Sequence, residues 1–82
     1  MFHKIKNVIL LEEFKLKVEF INGIKKIYDM EKIINKMEEF YLLKNKQLFN
    51  EVKVDVGGLG ISWNEDIDIS SEELWENGQE IK

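Results

Sequence analysis

Carboxylates are the densest reactive groups along this 82-residue chain. Glu65, Asp66, Asp68, Glu72 and Glu73 crowd one stretch, and an extended backbone there puts Asp66 and Asp68 on one face, two residues apart. Such a pair could hold a hard cation. Read as an EF-hand loop opening at Asp66, however, the string has Ser71 where the sharp turn needs glycine and Asn77 where the bidentate glutamate belongs. The cluster reads better as a solvated strand face followed by acids at a helix N-terminus, so no metal ligand is expected.

The other reactive side chains carry less. His3 is the only histidine and lies near a terminus, where a frayed, solvated ring is the ordinary expectation. Ser62, Ser70 and Ser71 offer hydroxyls, but none sits in a Gly-x-Ser-x-Gly elbow, and Ser70 is placed to cap a helix. Gly58-Leu59-Gly60 opens a dinucleotide-like string only superficially, because Trp63 stands where the third glycine belongs and the context is a hairpin. With no convergent acid, base and nucleophile, the chain is expected not to be an enzyme and to need no cofactor. Trp63 and Trp75 are the aromatic candidates for an interface, since tryptophan is enriched among binding hot spots, although each could equally cap a small core. Trp75 is the better of the two because it adjoins exposed acids. With Asn64, Asp66 and Asp68 these tryptophans make up the candidate partner-binding set.

Composition narrows the classes further. Without cysteine there is no disulfide, thiolate nucleophile or iron–sulfur ligand. All twelve basic residues are lysine, so the guanidinium fork suited to guanine edges and phosphates is missing, and the net charge is −4. Direct nucleic-acid binding is therefore disfavoured, and the lysines Lys15, Lys17, Lys25 and Lys26 are the nearest approach to a basic patch. Apolar runs such as Val8-Ile9-Leu10-Leu11 fall far short of the ~18 to 20 residues of a membrane span, and the polar start lacks a signal-peptide core. A cytoplasmic address without membrane attachment is expected.

The elements that must position these groups follow from periodicity. Lys4 to Leu11 is strand-like with a broken period of two, which predicts a bulge. Leu16, Val18 and Phe20 alternate with Lys17 and Glu19, and Asn22-Gly23 predicts a two-residue type I′ turn pairing Val18 with Ile27 and Phe20 with Lys25. Asp29 can cap a helical segment whose stripe Met30, Ile33, Ile34, Met37, Phe40 and Tyr41 predicts core packing; periodicity leaves open whether this is one helix or two. Val52, Val54 and Val56 then alternate towards a Gly57-Gly58 turn, returning through Leu59, Ile61 and Trp63, with Val54 opposite Ile61 and Val56 opposite Leu59. Gly60 reads as a bulge or a close backbone approach. Asn64-Glu65 predicts a turn, Ile67 and Ile69 the inward residues of a short strand, Ser70 with Glu73 a capping box, and Gly78 a helix end. The expectation is one α+β domain over residues 1–78 with two or more antiparallel hairpins, a helical connection and a short C-terminal helix, followed by a fraying tail over 79–82.

The Asn-Gly hairpin, the Asp29-initiated helical stretch, Val54-Asp55-Val56-Gly57-Gly58-Leu59-Gly60-Ile61-Ser62-Trp63-Asn64 running into Asp66-Ile67-Asp68-Ile69-Ser70, and the closing Glu73-Leu74-Trp75-Glu76-Asn77-Gly78 together resemble a bacterial family, domain of unknown function 2442 (DUF2442). The resemblance covers nearly the whole chain. Members often carry proline after the position of Asp29, and this chain has none. Longer members continue into a helix-turn-helix domain, for which 82 residues leave no room; such members suggest, as an alternative, an accessory regulator of nucleic-acid transactions. Short members often stand beside a protein of domain of unknown function 4160 (DUF4160) in pairs proposed as toxin–antitoxin modules. What the resemblance implies is a small interaction module, the antitoxin-like half of a two-gene pair, with a DUF4160-like protein as partner; self-association through an open sheet edge is the other expectation.

Overall fold

The computed structural model describes residues 3–81. Strands β1 (Ile5–Leu10), β2 (Lys15–Phe20), β3 (Lys25–Asp29) and the two-residue β7 (Gln79–Glu80) form one antiparallel sheet in the order β1-β2-β3-β7. A second sheet holds β4 (Lys53–Val54), β5 (Gly60–Ser62) and β6 (Asp68–Ser70). Between them in sequence run α1 (Glu31–Lys36), a 3-10 helix (Glu38–Lys44) and α2 (Lys46–Phe49), and α3 (Ser71–Asn77) follows β6 directly. Among the described residues no helix is long and apolar enough to cross a membrane. Both sheets and the helices feed one core, in which Leu16, Val18, Phe20, Met30, Leu43, Ile61 and Leu74 are sealed from solvent.

The predicted bulge is present, since Ile5 pairs with Phe20 and Asn7 with Glu19, leaving Lys6 as the extra residue. In the first loop, closed by Leu11 and Lys15, Glu13 (60°) and Phe14 (58°) both take positive φ at the centre of the β-turn from Glu12 to Lys15, where no glycine or asparagine marks it. Packing holds that unfavourable backbone: the Phe14 ring meets Phe49 edge-on at 5.1 Å, and the Phe14 carbonyl accepts the Met30 amide. At Asn22-Gly23 only Gly23 has positive φ, the Phe20 carbonyl accepts the Gly23 amide, and the Phe20 amide donates to Ile24. The loop is thus three residues long, and Val18 faces Lys26, not Ile27, while Phe20 faces Ile24, not Lys25. A slip of one residue turns every β3 side chain over, so Tyr28 and Lys26 point towards the core side and Ile27 lies opposite Lys17 on the other.

The helical connection breaks at Met37, whose extended backbone (φ −111°, ψ 117°) separates α1 from the 3-10 helix. The continuous core stripe predicted from Met30 to Tyr41 is accordingly divided. Met30 and Ile34 are buried, but Met37 is 47% and Tyr41 58% exposed, and the reset register buries Leu43 in their place. Asp29 is not the helix cap: Met30 holds that position without a side-chain bond, and the Asp29 carboxylate accepts the Glu31 amide at 3.0 Å from one residue upstream. Asn45 caps α2 by accepting the Gln47 amide at 2.9 Å.

In the second sheet Val54 pairs with Ile61 as predicted. The turn is longer than two residues: the ladder closes at Asp55 and Gly60, so Val56 and Leu59 do not pair, and Val56 is 97% exposed. Gly58 (φ 71°) seats this turn against β1, where a Cβ would lie 2.6 Å from the Ile5 carbonyl oxygen. Asn64 closes the next turn by accepting the Asp66 and Ile67 amides, which turns Ile67 and Ile69 inward. Ser70 caps α3 by accepting the Glu73 amide at 3.2 Å. Gly78 ends that helix with extended backbone instead of a left-handed turn; its glycine is required because a Cβ would meet the Leu74 carbonyl and the Lys26 Cβ. The tail expected to fray pairs instead with β3, Gln79 opposite Ile27 and Glu80 opposite Lys26, with the Ile81 amide donating to Lys25. Lys82 lies outside the described residues.

Candidate functional site

A cleft of about 360 Å³ opens where β3, the α1 to 3-10 break, β6 and α3 meet, lined by Tyr28, Ile33, Met37, Phe40, Asp68, Ile69, Ser70 and Glu73. Each wall has a local cause. The three-residue loop puts Tyr28 on the inner face of β3, and the break at Met37 leaves Ile33, Met37 and Phe40 short of full burial. The turn at Asn64 sets the alternation of β6 so that Ile69 faces in and Asp68 faces out. The cap at Ser70 starts α3 with Glu73 in its first turn.

The floor is apolar and the rim is anionic. Glu73 is held in place through one oxygen: its Oε2 accepts the Tyr28 hydroxyl at 2.8 Å and the Asn77 side-chain amide at 2.9 Å. The predicted capping box is therefore half formed, with the Ser70 bond made and the Glu73 carboxylate turned to Tyr28. Burial pushes the Tyr28 phenol above its ordinary range, and the hydrogen bond and charge of Glu73 push it the same way, so Tyr28 stays a donor. Ser70 contributes a hydroxyl already engaged as the helix cap. Among the described residues no three histidine or acidic side chains gather to hold a metal ion.

The candidate residues read from the sequence do not assemble. Asp68 alone lines the cleft. Asp66 is in the turn held by Asn64, and the Asn64 carbonyl oxygen is engaged with backbone amides, so that residue organises the turn. Asn64 also borders a separate, more open depression of about 480 Å³ with Lys53, Asp55, Val56, Ser62 and Glu65. Trp63 is a core residue, 4% exposed, stacked on Phe49 and donating Nε1 to the Phe49 carbonyl at 3.0 Å. Trp75 is partly buried and already occupied: His3 stacks on it at 3.8 Å and 7°, Phe20 meets it edge-on at 5.0 Å, and Lys26 Nζ lies 4.1 Å from its ring centre. The same ammonium donates to the Trp75 carbonyl, one of the acceptors a helix leaves unpaired at its C-terminal end.

His3 is consequently docked, not frayed. Its backbone amide donates to Glu72 Oε1 at 2.8 Å, and Nδ1 lies 3.2 Å from Oε2. These contacts, the backbone hydrogen bond foremost, hold the Glu72 carboxyl below its ordinary value. Tyr28, Ile33, Met37 and Phe40 as walls of one cleft, and Lys26 as the anchor of α3, fall outside the candidate set read from the sequence. No local signal marks them, because Asn22-Gly23 suits a two- or a three-residue loop alike and the choice between them reverses the inward set of β3.

No curated protein sequence and no solved structure matches the chain. The family assignment rests on the family model of DUF2442, a protein family of unknown function, which matches residues 5–80. The Gly57-Gly58 turn seated on β1, the Trp63 that closes the core and the Ser70-capped final helix all fall within that match. The chain belongs to the DUF2442 family.

Proposed function

We propose that this protein is a non-catalytic protein-interaction module of the cytoplasm, docking its partner on the cleft between the α1 to 3-10 break and α3. The observation that carries the reading is an open apolar floor with carboxylates at its rim, bordered by Met37 at 47% exposure and next to exposed Tyr41 and Leu42. The contacts of Trp75 with His3 and Lys26 favour a structural use of that ring, and the place of Asp68 in the cleft lining favours its part in docking. The setting we propose is the antitoxin-like half of a two-gene unit with a DUF4160-like protein as partner, on the strength of the family resemblance and of the net charge of −4, which suits a basic partner.

The test is affinity purification of the tagged protein from its native lysate with nuclease present, comparing wild type with Met37→Glu and with Val56→Glu, a substitution at an exposed tip outside this cleft. One stoichiometric partner retained by V56E and lost by M37E supports the reading. Retention of the partner by M37E overturns the cleft as the docking face.

A further inference from the structure

Resting on that reading, we infer that the segment entering the cleft presents a lysine or arginine between apolar residues, and that Glu73, positioned by Tyr28, receives its charge. Glu73 Oε2 takes two donors from this chain, Tyr28 and Asn77, whereas Oε1 has no hydrogen-bond donor among the described residues. A carboxylate can accept about four hydrogen bonds, so half of its capacity faces outward while its orientation is already fixed. Asp68 lines the same cleft and, like Glu73, forms no salt bridge among the described residues. Two unpaired carboxylates above an apolar floor complement a long cationic side chain, whose methylenes lie along Ile33, Met37 and Ile69 while the charge reaches the rim.

The cation must come from outside the cleft's own walls, because its lining residues include no lysine, and neighbouring Lys26 is engaged by the Trp75 carbonyl and ring. Volume sets the extent of the segment. About 360 Å³ stands near the lower end of the ~300 to 1,000 Å³ typical of ligand pockets, enough for a few side chains and not for a whole helix face. Tyr28 makes the arrangement one-directional: a phenol that keeps its proton always donates to Glu73, and the carboxylate is left as an acceptor for the incoming cation.

The experiment is a backbone-amide NMR titration of the whole chain with three capped tripeptides, Leu-Arg-Leu, Leu-Gln-Leu and Leu-Glu-Leu, at low and high salt. The expected result is shift changes confined to Ile33, Met37, Ile69 and Glu73 with Leu-Arg-Leu, weakening as salt rises, with Leu-Gln-Leu weaker and Leu-Glu-Leu weakest. Glu73→Gln and Asp68→Asn should each lower the Leu-Arg-Leu affinity by roughly three- to fivefold, as befits a charge pair at an exposed rim. Tyr28→Phe, which keeps the ring and frees the carboxylate to move, should do the same to a smaller degree. Equal binding of Leu-Gln-Leu and Leu-Arg-Leu, indifference to E73Q, or no shift changes at the cleft overturns the cationic occupant. Loss of the captured partner in M37E alongside any of these leaves docking standing and this inference refuted, so the two failures are distinct.

Discussion

The turn at Gly57-Gly58 is the most distinctive stretch of the sequence, and its tightest requirement lies at Gly58. A Cβ added there would stand 2.6 Å from the Ile5 carbonyl oxygen and 3.0 Å from the Ile5 amide nitrogen, both backbone atoms of an ordered strand, and the residue has φ of 71°. Gly23 provides the control: its φ is 90°, yet nothing lies within 4 Å of the position its Cβ would take. Gly23→Ala therefore meets only the left-handed backbone penalty, about 1 to 2 kcal/mol. Gly58→Ala meets a similar penalty plus an overpacking cost of about 1 to 3 kcal/mol, because the strand must be pushed off the turn. A chain of this length has a total stability of about 4 to 12 kcal/mol, so the difference is a substantial fraction of it.

Urea and thermal unfolding followed by far-ultraviolet circular dichroism read the contrast directly. The expectation is that G58A melts roughly 5 to 20 °C below G23A. The indole of Trp63, which is buried against Phe49, reports the same transition by fluorescence. A G58A stability within about 0.5 kcal/mol of G23A would refute the reasoning, since the turn could not then be seated against the Ile5 backbone.

Four further outcomes follow from the geometry. Glu72 titrates below its ordinary value of 4.5 because His3 donates to it, so the docking of His3 is supported above that value and lost as pH falls through the depressed one; NMR shifts of the Trp75 indole should move in that acid window in wild type and be flat in Glu72→Gln, and identical profiles would dismiss the latch. Tyr28 titrates above its ordinary value of 10.0, so it contributes stability fully present below that pH and lost as pH rises beyond it; in a Tyr41→Phe background, absorbance at the tyrosinate band should stay low past the ordinary value until the protein unfolds, and an ordinary titration curve would contradict the buried phenol. Trp63→Phe leaves the buried Phe49 carbonyl without its donor and should cost about 1 to 3 kcal/mol in urea unfolding, a near-neutral result counting against the bond. Lys26→Met keeps much of the aliphatic stem but removes the ammonium from the Trp75 carbonyl and ring, so a loss of about 1 kcal/mol and faster amide exchange in the last turn of α3 are expected, with unchanged exchange refuting the anchor.

Much of the fold was legible because alternation and capping are local physics. The bulge at Lys6, the Val54 to Ile61 register, the inward Ile67 and Ile69 and the Ser70 cap all follow from patterns within a few residues, and all are present. What escaped were decisions made by distant contacts. Glu13 and Phe14 carry no turn signature; their positive φ persists because Phe14 is packed on Phe49 and bonded to Met30. The split of the helical stripe at Met37 lacks a glycine or proline to mark it, and its result is that Leu43, not Tyr41, enters the core. His3 was unreadable for the same reason, its partners Glu72 and Trp75 standing at the other end of the chain. In the acidic corner Asp68 lines the cleft together with Glu73, whereas Asp66 and Trp75 lie outside its lining.

The least conspicuous of these errors has the largest consequence for the site. Asn22-Gly23 serves a two-residue or a three-residue loop almost equally well by composition, and the two differ by a single step in register. With the shorter loop Ile27 would face Val18, and Lys26 and Tyr28 would lie on the opposite face of the sheet from α3. With the loop as it is, Tyr28 reaches Glu73, Lys26 reaches the Trp75 carbonyl, and Gly78 fits against Lys26. Both anchors of the last helix and the polar contact that orients the cleft's carboxylate therefore depend on the register set by the three-residue loop from Ile21 to Gly23. An α helix of seven residues has little stability of its own, so α3 holds its place by these tertiary contacts and the buried Leu74 and Ser71. The cleft is in this sense a product of strand register: the turn selects which side chains of β3 meet α3, and those side chains fix the rim.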